Sequence, residues 1–361
     1  MDFDLDENAQ ELQRLAAGLL DREASPARLE AHERSGDPYD DKLWKTLAGA
    51  GLLGACLPDD LGGAGLGAVE LAVLLREIGA HAAPVPAYAS LTAALTLARH
   101  GTGDLRARLS ALAEGEMVIT AAVREPGGEL AAPATTATRA GDAYVIDGVK
   151  TFVPYAEQAA HILVPARTED GEVRVFALEP GQVALTPHPA ATKEPMSRLS
   201  LEGVRTGADT LLGAGAHETL LGYATAGAVA TTSGALDAAL RLTTEHVKSR
   251  EQFGRALAEF QAVTMEVGDV YIAKRALDVA MWAGVWRLAE GHDDAAEVLA
   301  VAAWAACDGA LKALYTCQHL HGGLGLDVTY PLHRHFAWVK HYAHLLGGAE
   351  ARLDAIGALV A

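Results

Sequence analysis

Met117-Val118-Ile119-Thr120, Ala143-Tyr144-Val145-Ile146, Ile162-Leu163-Val164 and Val173-Arg174-Val175-Phe176-Ala177-Leu178 are the runs whose reading decides the fold. They are short and rich in β-branched and aromatic residues, and the clearest are closed by the turn pairs Asp147-Gly148 and Asp170-Gly171. Strands so closely spaced predict a small antiparallel sandwich or barrel over residues 118–215. On the N-terminal side, residues 1–117 carry the helical period, as in Leu12, Leu15, Leu19 and Leu20. On the C-terminal side, residues 216–361 hold four long alanine-rich stretches, 217–249, 257–290, 294–317 and 333–360, which predict a four-helix bundle. The expected class is therefore mainly α with a central β domain, in three domains. Because helices and strands are segregated and do not alternate, a doubly wound nucleotide-binding sheet is excluded.

Composition narrows the function classes. Against 29 Lys and Arg stand 47 Asp and Glu, a net charge of −18, so a polyanionic nucleic acid would be repelled in bulk. No run of apolar residues approaches the roughly 20 that a spanning helix needs, and no membrane partner is expected. The start, Met1-Asp2-Phe3-Asp4-Leu5-Asp6, is acidic where a targeting peptide is basic. Cys56, Cys307 and Cys317 form no C-x-x-C pair; they read as small buried residues of a protein in the reducing cytoplasm. With 50% hydrophobic residues the chain has enough apolar surface for a substantial core.

Two local segments carry ligand chemistry. Arg250-Glu251-Gln252-Phe253-Gly254, followed by Phe260-Gln261, presents a guanidinium from a helix end, where a bidentate grip on a pyrophosphate is feasible. Phe253 offers a flat face beside it and Gln261 an amide. In His321-Gly322-Gly323-Leu324-Gly325, with Tyr330-Pro331, the paired glycines let backbone N–H groups approach a ligand. By themselves these residues also fit a surface arginine and an ordinary turn. A third segment, Pro58-Asp59-Asp60-Leu61-Gly62-Gly63-Ala64-Gly65, reads as a turn between helices; its glycines follow no strand and form no phosphate loop.

Together with the helical, β, helical order, these three segments resemble the acyl-CoA dehydrogenase family of flavoproteins over essentially the whole chain. The wording is most similar to the non-catalytic partner subunits of heterotetrameric enzymes of steroid side-chain degradation. The resemblance implies FAD at a subunit interface, its ring in one subunit and its ADP portion held by the neighbour. On this chain the ADP-holding residues would be Arg250, Gln252, Phe253, Gln261, His319, Gly322 and Gly323. His319 stands where the family has Gln, with Gln318 one place too early. The flavin-receiving segments depart further. The family's T-E-P…G-S-D reads Arg124-Glu125-Pro126-Gly127-Gly128-Glu129, and its K-x-W-I-T reads Lys150-Thr151-Phe152-Val153-Pro154, where Pro154 offers neither hydroxyl nor N–H.

Removing the α-proton of a CoA thioester needs a carboxylate in a dry pocket. The family's usual glutamate position reads Gly347, and its alternative position, on the first bundle helix, falls at Ala224. Glu350 and Glu218 lie nearby in sequence but a helical shift away. The expectation is thus a subunit without its own base. A homologous catalytic subunit, an acyl-CoA substrate in the complex and an electron-transfer flavoprotein would complete the system. A self-sufficient flavoenzyme with a displaced base, and an oligomeric scaffold without FAD, are the alternatives. The late histidines, His319, His321, His333, His335, His341 and His344, do not share one helical face and predict no metal site. Arg334 with His333 and His335 reads as a basic rim for an acyl-CoA phosphate or as a subunit contact.

Overall fold

The computed structural model describes residues 5–360; Met1 to Asp4 of the acidic start, and Ala361, lie outside the described residues. In chain order the helices α1 (Glu7–Glu23), α2 (Pro26–Ser35), α3 (Asp41–Gly49), α4 (Ala68–His81), α5 (Ala87–His100), α6 (Gly103–Ala107) and α7 (Ser110–Ala113) come first. Strands β1 (Ile119–Ala121), β2 (Thr136–Ala140), β3 (Ala143–Pro154), β4 (His161–Thr168), β5 (Val173–Leu178), β6 (Ala184–His188) and β7 (Met196–Gly207) follow. The rest is helical: α8 (Ala216–Ser249), a hairpin of β8 (Glu251–Gln252) and β9 (Arg255–Ala256), then α9 (Gln261–Glu290), α10 (Ala295–Ala305), α11 (Leu311–His321), α12 (Leu332–Leu345) and α13 (Gly348–Val360). This is the expected class.

Contacts divide the chain into two compact units. The β unit comprises Ser35–Leu71 and Pro84–Ala224. Its seven-stranded sheet runs β1-β4-β2-β3-β7-β6, with β5 on β4. Most pairings are antiparallel, as expected, but β1 and β2 lie parallel to opposite ends of β4. Asp147-Gly148 does not close a hairpin as its composition predicts. It lies inside β3, at a bulge against β7, where Asp147 accepts the Gly203 N–H at 2.7 Å. A Cβ at position 148 would run into Thr135, so the glycine is set by close approach. The turn between β2 and β3 is Gly141-Asp142 instead. The sheet curls over Ile146, Ile162, Val164, Phe176, Leu178 and Leu199, all fully buried.

The helical unit holds the residues up to Arg34, Ala72–Ala83, and the chain from Thr225 onward. Within it α4 and α8 pack backbone to backbone: a Cβ on Gly79 would strike the Thr231 carbonyl, and one on Gly234 the Arg76 carbonyl. The third predicted rod is α10 and α11 joined by a π-helical turn, Ala306–Ala310. Contrary to the sequence expectation, the helical run Ala295–Leu326 is long and apolar enough to cross a membrane by length and composition; 50% of its most apolar window is buried. Alanine-rich packing rods pass that test for the same reason that membrane spans do. The fourth stretch breaks in two at Gly347 and Gly348, whose φ values of 94° and 86° end α12 and turn the chain into α13.

Candidate functional site

The helical unit assembles the residues predicted to hold a cofactor. Arg250 follows the last turn of α8, its N–H bonded to the His246 carbonyl at 2.8 Å. The Leu257 N–H returns to the Arg250 carbonyl at 2.9 Å and closes the β8–β9 hairpin. The turn of that hairpin is Phe253-Gly254, with φ 54° and 78°. A phenylalanine in the left-handed region costs roughly 1–2 kcal/mol, and this one is 93% exposed, so no packing compensates. Phe260 receives it edge-on at 6.3 Å and carries the Arg255 guanidinium on its face at 3.9 Å. Among the described residues, the Arg250 guanidinium and the Gln261 amide make no hydrogen bond, and Gln252 reaches only the Glu251 carbonyl, at 2.8 Å.

The Gly322-Gly323 turn belongs to the same element. His321, which precedes it, stacks on His246 with ring centroids 4.4 Å apart and planes 18° from parallel. That contact ties the end of α11 to the last turns of α8, one helical turn before Arg250. Gly322 has φ 57°, and neither glycine has a neighbour where a Cβ would stand, so the backbone is open. His319 is exposed, whereas Gln318 is used internally, donating to the Gly325 carbonyl at 3.1 Å. A free guanidinium, an exposed flat ring, an unbonded amide and an open glycine turn can together grip a pyrophosphate and cover a planar group.

The two carboxylates near the base positions are solvated. Glu218 and Glu350 are exposed in the first turns of α8 and α13, where they complement the helix dipoles. Gly347 has no side chain, and Ala224 is buried.

In the β unit, the segments that resemble the flavin-facing part of the family are bound to each other. Glu125 and Lys150 are 5% and 0% exposed and meet at 2.7 Å. Glu125 also accepts the Thr135 hydroxyl at 2.5 Å and the Ala134 and Thr135 N–H groups at 2.6 and 3.1 Å. Burial pushes the Glu125 carboxyl up, but the Lys150 ammonium and the Thr135 hydroxyl outweigh it and hold it below its ordinary value. Phe152, at φ 53°, sits edge-on to His188 at 4.4 Å.

Sequence reasoning missed Glu194. Its carboxyl lies among Tyr155, whose hydroxyl donates to it at 3.3 Å, and Thr192, with no cation in contact among the described residues. One carboxyl oxygen is enclosed without a partner, and desolvation pushes the group up to about 7. Tyr155 and Lys193 both have positive φ, 52° and 67°, so the backbone around this carboxyl is strained. A lone Glu in a Lys-Glu-Pro loop gives no sequence signal of such enclosure. Arg334 proves to be no rim: it is 8% exposed and forks onto Glu33 at 2.6 and 3.1 Å. His335 beside it is buried, and desolvation takes its pKa down to about 3. The rim reading failed because Glu33 is some three hundred residues away in the chain. The cysteines are free and buried, which pushes the Cys307 and Cys317 thiols up to about 11.

Helical segments before and after a curled seven-stranded sheet in the chain are the architecture of the acyl-CoA dehydrogenases. Residues 6–116 match the N-terminal domain of acyl-CoA dehydrogenases and residues 213–360 their C-terminal domain. The acyl-CoA dehydrogenase FadE28 of Mycobacterium tuberculosis is 34% identical, covering 99% of this chain and 98% of its own. The structure of a variant of the steroid acyl-CoA dehydrogenase Tcur3481-Tcur3483 superposes with TM-score 0.93 at 39% identity, over 98% of both chains. The ChsE4-ChsE5 complex from Mycobacterium tuberculosis gives TM-score 0.93 at 31% identity, over 100% of this chain and 99% of that one. The chain belongs to the acyl-CoA dehydrogenase family, a family of oxidoreductases.

Proposed function

We propose that this chain is the cofactor-supporting subunit of a heteromeric FAD-dependent acyl-CoA dehydrogenase acting on CoA thioesters of steroid side chains. FAD, when bound, would supply the acceptor for a hydride leaving Cβ as a base removes the α-proton, and an electron-transfer flavoprotein would take the electrons onward. Arg250 would hold the pyrophosphate, the Gly322-Gly323 turn would offer N–H groups, and Phe253 and Gln261 would flank the ADP portion. Gln252 and His319 are exposed alongside. The observation that carries the reading is an asymmetry in this chain. The Arg250 guanidinium and the Gln261 amide bond to no described residue and the Gly322-Gly323 backbone is open, while the position of the family's glutamate reads Gly347 and the nearby carboxylates are solvated. Relatives whose structures are of steroid dehydrogenases and of a two-component complex support the substrate class and the partner. An apolar groove of about 860 Å³ on α9, α10 and α13, lined by Tyr271, Ile272, Val279, Val301 and Leu359, fits burial against another subunit.

The test is a flavin spectrum of the chain purified alone and co-expressed with a homologous catalytic subunit. The expected result is colourless protein alone and about one FAD per two chains in the complex. Yellow, active protein from the chain alone overturns the assignment, and colourless protein in both preparations favours a scaffold. A second reading, a self-sufficient dehydrogenase with a displaced base, draws on Glu194, whose carboxyl titrates near neutrality. On that reading Glu194→Gln abolishes turnover by the chain alone; on ours no such turnover exists to lose.

A further inference from the structure

His246 and Arg250 stand four residues apart at the end of α8, so their side chains are neighbours on one face. His246 is half-buried, held by its stack on His321, and its ring nitrogens make no hydrogen bond to any described residue. His321 is already committed. Its Nδ1 donates to the Cys317 carbonyl at 2.7 Å, and its Nε2 lies in hydrogen-bond contact with the Tyr330 hydroxyl at 3.2 Å, so both nitrogens have partners. His246 is therefore the uncommitted imidazole of the pair, beside a guanidinium that itself lacks a partner.

We propose that His246 is a further cofactor-binding residue, taking up a proton as the pyrophosphate of FAD binds beside Arg250, so that FAD and a proton bind together. The inference rests on the proposed function only in placing the pyrophosphate at Arg250. Without an anion, three effects lower the affinity of His246 for a proton: burial first, then His321 and Arg250. The other titratable groups around the pair are Glu245, which acts on Tyr330, and Tyr330 itself; Lys248 and Glu251 flank it in sequence. An arriving pyrophosphate reverses the balance, because it offsets Arg250 and favours the imidazolium. The stack admits one proton, since two imidazolium rings 4.4 Å apart repel. Its position in the last turn of α8 also favours a cation there. The sign is fixed: a ligand that raises the pKa of a group binds more tightly as pH falls through the ordinary imidazole range near 6.5.

The experiment uses the flavin-loaded complex and reads FAD release by its recovered fluorescence, together with calorimetric titration of the apo-complex with FAD in two buffers of different ionisation enthalpy. FAD affinity is expected to rise up to about tenfold from about pH 8 to about pH 5.5, the effect of roughly one pKa unit, with net proton uptake on binding. His246→Gln should flatten the pH profile while FAD still loads. His321→Phe keeps the stack but removes the competing imidazole, so the profile should persist and move to higher pH. Arg250→Ala should weaken FAD at every pH. An unchanged pH profile in His246→Gln, or zero proton uptake by the parent complex, overturns the proposal and leaves the Arg250 assignment standing. Unchanged FAD retention in Arg250→Ala overturns the assignment itself.

Discussion

The Glu125–Lys150 pair of the β unit and the Arg250 element of the helical unit are both charged, and both correspond to cofactor-facing segments of the family, yet they are opposite in state. Glu125 has four donors from within the chain, and Lys150 is completely buried against it. The Arg250 guanidinium and the Gln261 amide bond to no described residue, and Phe253 is left almost bare. A group whose hydrogen bonds are closed internally gains nothing from a ligand, whereas an unbonded guanidinium keeps its full capacity for one. The comparison teaches that charge alone does not mark a site: the buried pair secures the fold, and the exposed arginine remains available.

The largest effect should come from opening the closed side. Lys150→Met leaves a buried carboxylate without its cation and should destabilise the chain by about 3–5 kcal/mol, read as a drop in the urea midpoint near neutral pH. The pH dependence should change as well. In the parent, Glu125 titrates below its ordinary value, so its stabilisation is present above the carboxylate range and fades as pH falls through that lowered value. In Lys150→Met burial is opposed only by the Thr135 hydroxyl and the Ala134 and Thr135 N–H groups, so the carboxyl rises relative to the parent and the gap to the parent should narrow on acidification. A gap that stays constant with pH would mean that the pair is not what holds the β1–β3 segment.

Next in size is Arg250→Ala, which removes a charge-assisted contact worth about 1.5–3 kcal/mol and should lower FAD affinity of the complex about ten- to a hundredfold. The urea midpoint of the chain alone should not move, because no described residue depends on that guanidinium. Phe253→Gly should separate fold from site in the other direction. It relieves a left-handed phenylalanine and should change stability of the chain alone by less than about 1 kcal/mol, while FAD is released faster from the complex.

How legible each region was in the sequence follows from the range of its contacts. Arg250, Phe253, Gln261 and the Gly322-Gly323 turn were readable because each is a local device: a helix end, a hairpin turn, a pair of glycines. The stack of His246 on His321 was not, since it joins residues 75 positions apart through helix packing. Likewise the parallel pairing of β1 and β2 with β4, the Arg334–Glu33 fork and the enclosure of Glu194 are set by distant partners. The Asp147-Gly148 pair shows the converse error, for the same dipeptide serves a hairpin or a bulge, and only Thr135 decides which.

The smallest expected effect concerns the exposed carboxylates, and its smallness is informative. Glu218 and Glu350 sit in first turns of helices, where a negative charge stabilises by about 0.3–1 kcal/mol through the dipole. A general base must lie within hydrogen-bond reach of the proton it removes and be shielded enough for its pKa to approach the working pH; a solvated side chain satisfies the second condition poorly. Glu218→Gln and Glu350→Gln should therefore leave turnover by the complex within about twofold of the parent, with at most about 1 kcal/mol lost in stability. The corresponding change at the partner's own base should stop turnover altogether. If Glu350→Gln in this chain reduced turnover a hundredfold while FAD stayed bound, α13 would have to bring its first turn into a dry pocket on assembly, and the contrast between a supporting and a catalytic subunit would fail.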